Sequence, residues 1–469
     1  MTTAIQLTPQ DTVERALELA AAEGAEGCIV LVAETSSANL RWANNTLTTN
    51  GAMRGSSVTV IATVGAGEGT AAGVVGRSST TEESLREIVS AAVAAARASS
   101  PAEDARPLVE GTLGPSWDEE PDETSVNVYE AFAPALGETL TRATKESRWL
   151  YGFASHEVVT QYVGSSTGLR LRQALPTGFV TSTGKSGDLS QSAWVGAATR
   201  DFTDIDPLAL DAELTRRLGW ATRTVSVEAG RHPTVLPPTA VADLMNYVYA
   251  KLDGRAAHEG RSVFSKPSGG SRIGDVLTPH PVRLRSDPHQ AGLEASPFVV
   301  APWSGGAWSV FDNGLTLAAT DWIRGGKLEN LMQSRFTADL TGAPAVTPPI
   351  ENYVLSVDGA SGSVDDLVAG LDHGLLLTCM WYIREVEPQT LLLTGLTRDG
   401  VYLVENGEVT GAVNNFRFNE SPVDLLSRFT AAGATVPSFS REWGDEFSRT
   451  ATPPLLVPDF NMSSVSQAS

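Results

Sequence analysis

The chain has 469 residues, 42% of them hydrophobic and 19% charged, a balance that builds packed cores and excludes a disordered chain. Its formal charge of -21 points away from nucleic acid, because a phosphate-binding surface needs clustered Lys and Arg and no basic run occurs. At roughly 100–200 residues per domain, the length fits two or three domains.

The first predicted helix is capped by Thr8, carries Pro9 at its first position and aligns Val13, Ala16, Leu17 and Ala20 on one face, with Gly24 and Gly27 ending it. Strands follow over CIVLVAE (28–34), NLRWANNTL (39–47) and SSVTVIATVG (56–65). Thr80 and Glu83 stand at capping-box spacing before a second helix, SLREIVSAAVAAARA. Residues 99–125 read as a proline-rich, acidic linker, and a third helix is expected at 127–146, with Pro134 a candidate break. Strand signals return in WLYGFAS, VVTQYVGS, LRLRQAL and GFVTSTG, and a helix over DPLALDAELTRRLGWATRTV closes the first half. The layouts of the two strand blocks, 28–65 and 149–200, are loosely alike. HPTVLPPT (232–239) opens the second half, where one helix precedes short strands and glycine-rich turns.

Strands without regular βαβ alternation define an α+β fold. The expected organisation is an N-terminal α+β domain at 1–105, a central α+β region at 106–228 after the acidic linker, and a β-rich C-terminal domain at 229–469 built around one long helix at 240–253. Cys28 and Cys379, far apart and outside any CxxC pair, fit two free thiols in a reducing compartment. Asp11, Glu14 and Glu18 interrupt any signal-peptide core, and no window reaches the ~18 apolar residues of a membrane span, so a cytoplasmic location is expected.

Motif tests are mostly negative. VGAGEGTAAG places Gly65, Gly67 and Gly69 after a strand, but Thr70 stands where the dinucleotide fingerprint needs glycine, so a turn is the better reading. His258–Glu259 begins an HExxH pattern that Ser262 fails to complete. Cys379, six residues after His373, lies in the apolar DHGLLLTCMWYI, which reads as a buried strand rather than a nucleophile. No GxSxG elbow occurs.

GRSVFS (260–265), FDNGL (311–315), IRGGKLENLMQSRFTADLTG (323–342) and the strand–turn–strand GVYLVENGEVTGAV (400–413) resemble the TldD/PmbA metallopeptidase family. NNFRFNESPVDLL, SREWGDEFSR and PDFNMSSVSQA resemble the PmbA/TldE subunit in its actinobacterial form, and NLRWANNTL and VYEAFAPAL agree. In this family the TldD subunit holds its metal through an HExxxH helix and a late cysteine. Alignment back from GRSVFS puts the first histidine on Met245, the glutamate on Asn246 and the second histidine on Ala250. A thioether suits a hydrolytic zinc poorly, an amide is no general base, and a methyl has no donor atom. No cysteine follows Cys379. The helix itself persists, with Thr239 a cap, Val241, Leu244, Val248 and Leu252 an apolar stripe, and Gly254 a stop.

The resemblance therefore implies a non-catalytic subunit that binds no cofactor itself, paired with a zinc-bearing TldD-type subunit on unfolded or leader-type peptides, with the extended substrate added to a sheet edge. Asn414, Asn415, Arg417, Asn419 and Glu420 alternate with Phe416 and Phe418, and their polar face suits a subunit interface or peptide cavity and a solvated strand equally. Asp459, Asn461, Ser463 and Ser464 belong to an expected structured tail, and Trp42, Asn44 and Asn45 are weaker candidates for peptide contact, a strand tryptophan being more often core. An independent hydrolase with an unrecognised site and a stand-alone peptide-binding scaffold are the alternatives.

Overall fold

The computed structural model describes residues 7–78 and 81–466. Helix α1 (Pro9–Ala22) starts as its sequence dictates: Thr8 accepts a hydrogen bond from the Asp11 amide at 3.1 Å, and Val13, Ala16, Leu19 and Ala20 are buried. Strands β1 (Gly27–Ala43), β2 (Thr46–Ala66) and β3 (Gly69–Ser78) form a meander, followed by α2 (Glu82–Ala98). The expected cap Thr80 lies outside the described residues; Thr81 caps α2, with Ser84 returning a hydrogen bond to its backbone. Then come α3 (Phe132–Lys145), β4 (Trp149–Ser165), β5 (Arg170–Lys185), β6 (Ser192–Thr199) and α4 (Pro207–Trp220). Pro134 falls in the first turn of α3, where no intrahelical bond is lost, and does not break it.

All six strands belong to one antiparallel sheet in the order β3-β2-β1-β4-β5-β6. Both strand blocks therefore read helix, three strands, helix, joined by the β1–β4 pairing. The strands are longer than the sequence indicates. NLRWANNTL is not one strand: Asn44 (φ 49°) and Asn45 (φ 60°) make a tight hairpin turn that ends β1 and starts β2. WLYGFAS and VVTQYVGS fuse into β4 because the two residues between them, His156 and Glu157, stay paired with Ala38 and Ser37 of β1, and Gly152 inside the strand is a packing residue. A Cβ there would meet the Trp42 ring at 2.2 Å. Pro176 is tolerated in β5 because pairing to β6 begins only at Gly178.

In the second half, a six-stranded sheet centres on Val282–Ser286 and Tyr353–Val357. A seven-stranded sheet centres on Gly230–Leu236, His373–Leu377 and Val401–Glu405, and a four-stranded sheet contains Met380–Glu387 and Phe416–Glu420. They wrap helix α5 (Pro238–Ala250), whose Val241, Leu244 and Val248 join Leu252, Leu284, Trp322 and Leu377 in the largest core. The fold is mixed α+β, as expected. Two details of α5 correct the sequence reading. Pro237 occupies the N-cap and Pro238 the first helical position, so Thr239 lies inside the helix and caps nothing. Gly254 begins the short helix α6 (Gly254–His258), capped by Asp253, rather than terminating α5.

The halves meet over the sheet face opposite the N-terminal helices. Ile29, Leu31, Ile61 and Val163 pack on Phe298, Val310 and Phe311, and Trp194 of β6 packs with Cys379 and Phe439.

Candidate functional site at the degenerate helix

The six residues after Leu244 set the chemistry of the site. Met245 points into the core at 2% exposure. Asn246 Oδ1 accepts a hydrogen bond from the Tyr353 hydroxyl at 2.7 Å, while its buried Nδ2 has no partner. Ala250 is exposed and presents a methyl. A metal does not fit this donor set: a thioether turned away, an amide already engaged and a methyl cannot together bind a hard or borderline divalent ion. Among the described residues, no three His, Cys, Asp or Glu side chains group together at metal-binding range.

Beside these positions α5 buries Asp243. Its Oδ1 accepts from the Ser440 hydroxyl (2.7 Å) and the Glu442 amide (2.9 Å), and its Oδ2 has no partner. Desolvation pushes this carboxyl up to about 7, against the two hydrogen bonds, with the Glu442 carboxylate adding to the rise. Asp243 thereby fixes the 440–443 turn to the helix. That segment carries Trp443, which packs edge-on against Tyr247 at 6.0 Å, and leads to Phe447, packed on Tyr249.

These aromatic groups wall the inner end of an elongated cleft. A cavity of about 280 Å³ lies against Asn246, Ala250, Trp443 and Phe447. It shares Tyr249, Ala250 and Phe447 with a second cavity of about 550 Å³, lined by Trp303, Trp308 and Glu351. Those three residues also line a third, of about 500 Å³, whose floor is the sheet at Leu31, Ala33, Ser57, Thr59 and Gln161. The cleft thus runs from the N-terminal sheet to the degenerate helix.

Other sequence candidates lie elsewhere. Phe416 and Phe418 are fully buried and Arg417 is exposed, as alternation requires. Glu420 shares the inner face, ion-paired to Arg428 and accepting from the Asn461 amide at 2.7 Å; desolvation raises its carboxyl pKa despite Arg428. Asn414 accepts from the Val227 amide at 2.8 Å, and Arg417 reaches Thr394 at 3.3 Å. None of the five polar residues Asn414, Asn415, Arg417, Asn419 and Glu420 lines the cleft. The tail is structured: Leu455–Met462 pairs with Gly230–Leu236, and Ser464–Val465 with Phe416 and Arg417. Trp42 is core, and Asn45 holds its hairpin by accepting from the Leu150 amide at 2.7 Å. Gly67 (φ 61°) turns β2 into β3, leaving no phosphate loop. Glu259 is ion-paired to Arg255 and Arg261. Cys379 is buried and its thiol pushed up to about 12 by desolvation, which suppresses the thiolate a nucleophile needs. DHGLLLTCMWYI is two strands in different sheets, broken at Thr378–Cys379. Sequence reasoning missed Trp303, Trp308, Glu351 and Asp243. The signal for the first two was WSGGAW, a tryptophan pair straddling a Gly–Gly turn.

The architecture, an antiparallel sheet docked on a β-rich half around one helix, is that of known TldE structures. TldE from Thermococcus kodakarensis superposes with a TM-score of 0.76 at 16% identity, over 96% of this chain and 99% of that one. A proposed modulator of a DNA gyrase from Thermotoga maritima gives 0.75 at 16% identity, over 97% and 100%. Another, from Bacteroides thetaiotaomicron, gives 0.70 at 14%, over 97% and 98%. No curated protein matches at the sequence level. Residues 229–464 match the PmbA/TldA metallopeptidase C-terminal domain. The chain belongs to the PmbA/TldA metallopeptidase family.

Proposed function

We propose that this chain is the non-catalytic partner of a TldD-type zinc metallopeptidase and helps bring unfolded or leader-type peptides to the metal centre of that subunit. The supporting observation is the face that α5 turns to the cleft: an engaged amide at Asn246 and a methyl at Ala250, with Met245 buried behind them. At Met245, Asn246 and Ala250 the helix keeps its packing and offers no group suited to ligate a divalent metal or take a proton from water, and its one carboxylate, Asp243, is buried against Ser440 and the Glu442 amide. The buried, desolvated Cys379 also argues against an independent thiol hydrolase. Among the described residues no helix is long and apolar enough to cross a membrane, and a cytoplasmic setting belongs to the same proposal.

The test is reconstitution. The purified chain is expected to carry no stoichiometric zinc and to leave casein and model peptides intact, with cleavage appearing once a TldD-type chain is added. Metal-dependent cleavage by the lone chain, or failure of the two chains to associate, would overturn the reading.

A further inference from the structure

We infer that the cleft is a peptide-gripping site selective for an extended segment that carries a cationic side chain among apolar ones, with Trp303 and Glu351 as the selecting groups. This rests on the reading of the chain as a peptide-handling subunit and specifies which peptides it takes.

The floor of the outer cavity excludes one mode of recognition. It is the face of interior strands: Leu31 pairs with both Thr59 and Val163, and Ala33 with both Ser57 and Gln161. Their backbone groups are already engaged in the sheet, so no strand can be added there. A chain in this cleft must be held by side chains.

Those side chains have a definite chemistry. Trp303 is 55% exposed although large, and lies 6.4 Å from Trp308 between ring centroids. The pair is displayed on a tight hairpin, where Gly305 and Trp308 exchange two backbone hydrogen bonds of 3.0 Å. Gly306 (φ 56°) leans on Asp253, whose carboxylate would stand 2.3 Å from any added Cβ. The hairpin tip is therefore braced, and the tryptophans are presented at little cost in ordering. Glu351, where the outer and middle cavities meet, is exposed and forms no ion pair among the described residues. Asp253 and Glu446 are the other charged residues along the cleft, and no Lys or Arg lines it. Arg449 interacts with Glu351 electrostatically at a distance, without ion-pair contact. An indole face and a free carboxylate both attract a cation, while the aromatic walls take apolar neighbours. An acidic peptide meets only repulsion.

The probe is an unstructured, N-acetylated, fluorescent peptide alternating Phe or Leu with Lys, beside twins carrying Gln or Glu in place of Lys. It is titrated against the full chain, without partner or zinc, by anisotropy. The Lys peptide is expected to bind about threefold tighter than the Gln twin and the Glu twin more weakly than either. Trp303→Ala should weaken the Lys peptide about tenfold. Glu351→Gln should abolish the Lys-over-Gln preference while leaving the Gln twin unchanged. Both residues are exposed, so neither substitution threatens folding. Absent binding, equal affinity for Lys and Glu peptides, or an unaltered Trp303→Ala variant overturns the inference. Loss of binding of the uncleaved peptide when a TldD-type chain kept metal-free by a chelator is added also overturns it, because the partner then fills the cleft. Selective binding by a chain that never associates with such a partner would sink the proposed function and leave this site standing.

Discussion

Helices α4 and α5, one from each half of the molecule, each bury an aspartate to 1% exposure and surround it differently. In α4, Asp211 accepts from Arg148 and Arg142, each at 2.7 Å, so that α3, the turn between α3 and β4, and α4 are clamped together by opposite charges. In α5, Asp243 is met by a hydroxyl and an amide, with no ion pair. One carboxylate is a brace held by a buried guanidinium, Arg148, and a half-exposed one, Arg142. The other is a neutral-bonded anchor that burial inclines to keep its proton. The halves are thus fastened by different means, charge at the α4 corner and apolar packing around α5.

The largest expected effect breaks the first fastening. Asp211→Ala leaves the guanidinium of Arg148, itself only 9% exposed, without its buried counter-charge, and should cost about 4 kcal/mol in denaturant unfolding. A cost below about 1 kcal/mol would show that the clamp is solvated and the contrast empty. Next, Leu244→Ala removes a fully enclosed side chain from the α5 core and should cost about 3 kcal/mol. Ala250→Ser, on the cleft face of the same helix, should stay within about 0.5 kcal/mol. In α5, then, deleting an apolar group should hurt more than neutralising the aspartate.

That neutralisation gives the third prediction. The folded Asp243 carboxyl holds its proton to about pH 7, whereas the unfolded chain releases it near 3.8. Between these values the folded state binds more protons, so raising the pH through this window removes stability, and the loss is complete above 7. Asp243→Asn keeps an acceptor for Ser440 and the Glu442 amide without a charge to desolvate. Relative to the parent it should gain about 3 kcal/mol between pH 4.5 and 8, read from unfolding midpoints. A difference that does not vary with pH would mean the carboxylate is solvated.

The elements that local chemistry specifies were readable in the sequence. Thr8–Pro9 starts α1, Asp206 precedes Pro207 at the start of α4, and Asn406–Gly407 turns the chain between Val401–Glu405 and Glu408–Val413. Asn44–Asn45 makes the same kind of turn but was absorbed into a strand, because asparagine is a weaker sign of positive φ than glycine. His156–Glu157 was left as a gap between two strands because what carries the strand through it, pairing to Ala38 and Ser37, comes from a strand more than a hundred residues earlier. The absence of metal donors on α5 was visible in its side-chain chemistry, but that Met245 faces inward and Ala250 outward needed the packing. The cleft was hidden because it gathers residues from β1, β2 and β4, the 303–308 hairpin, Glu351 and α5, segments that no sequence period connects.

The smallest effect concerns the seam between the halves. Cys28 lies in the N-terminal core, while Cys379 packs against Trp194 of β6 and Phe439, where the halves touch. Burial pushes both thiols up to about 12, so neither is thiolate near neutral pH, and neither is reachable without opening the structure. At pH 8 a disulfide reagent should label neither cysteine in the native chain and both after denaturation, with no change in stability to report. Should Cys379 react while Cys28 stays silent, the seam opens independently of the N-terminal core. Apolar contact would then be holding the halves together less firmly than the charge clamp holds the α4 corner, and docking of the sheet on the α5 half would be an equilibrium rather than a fixed feature of the fold.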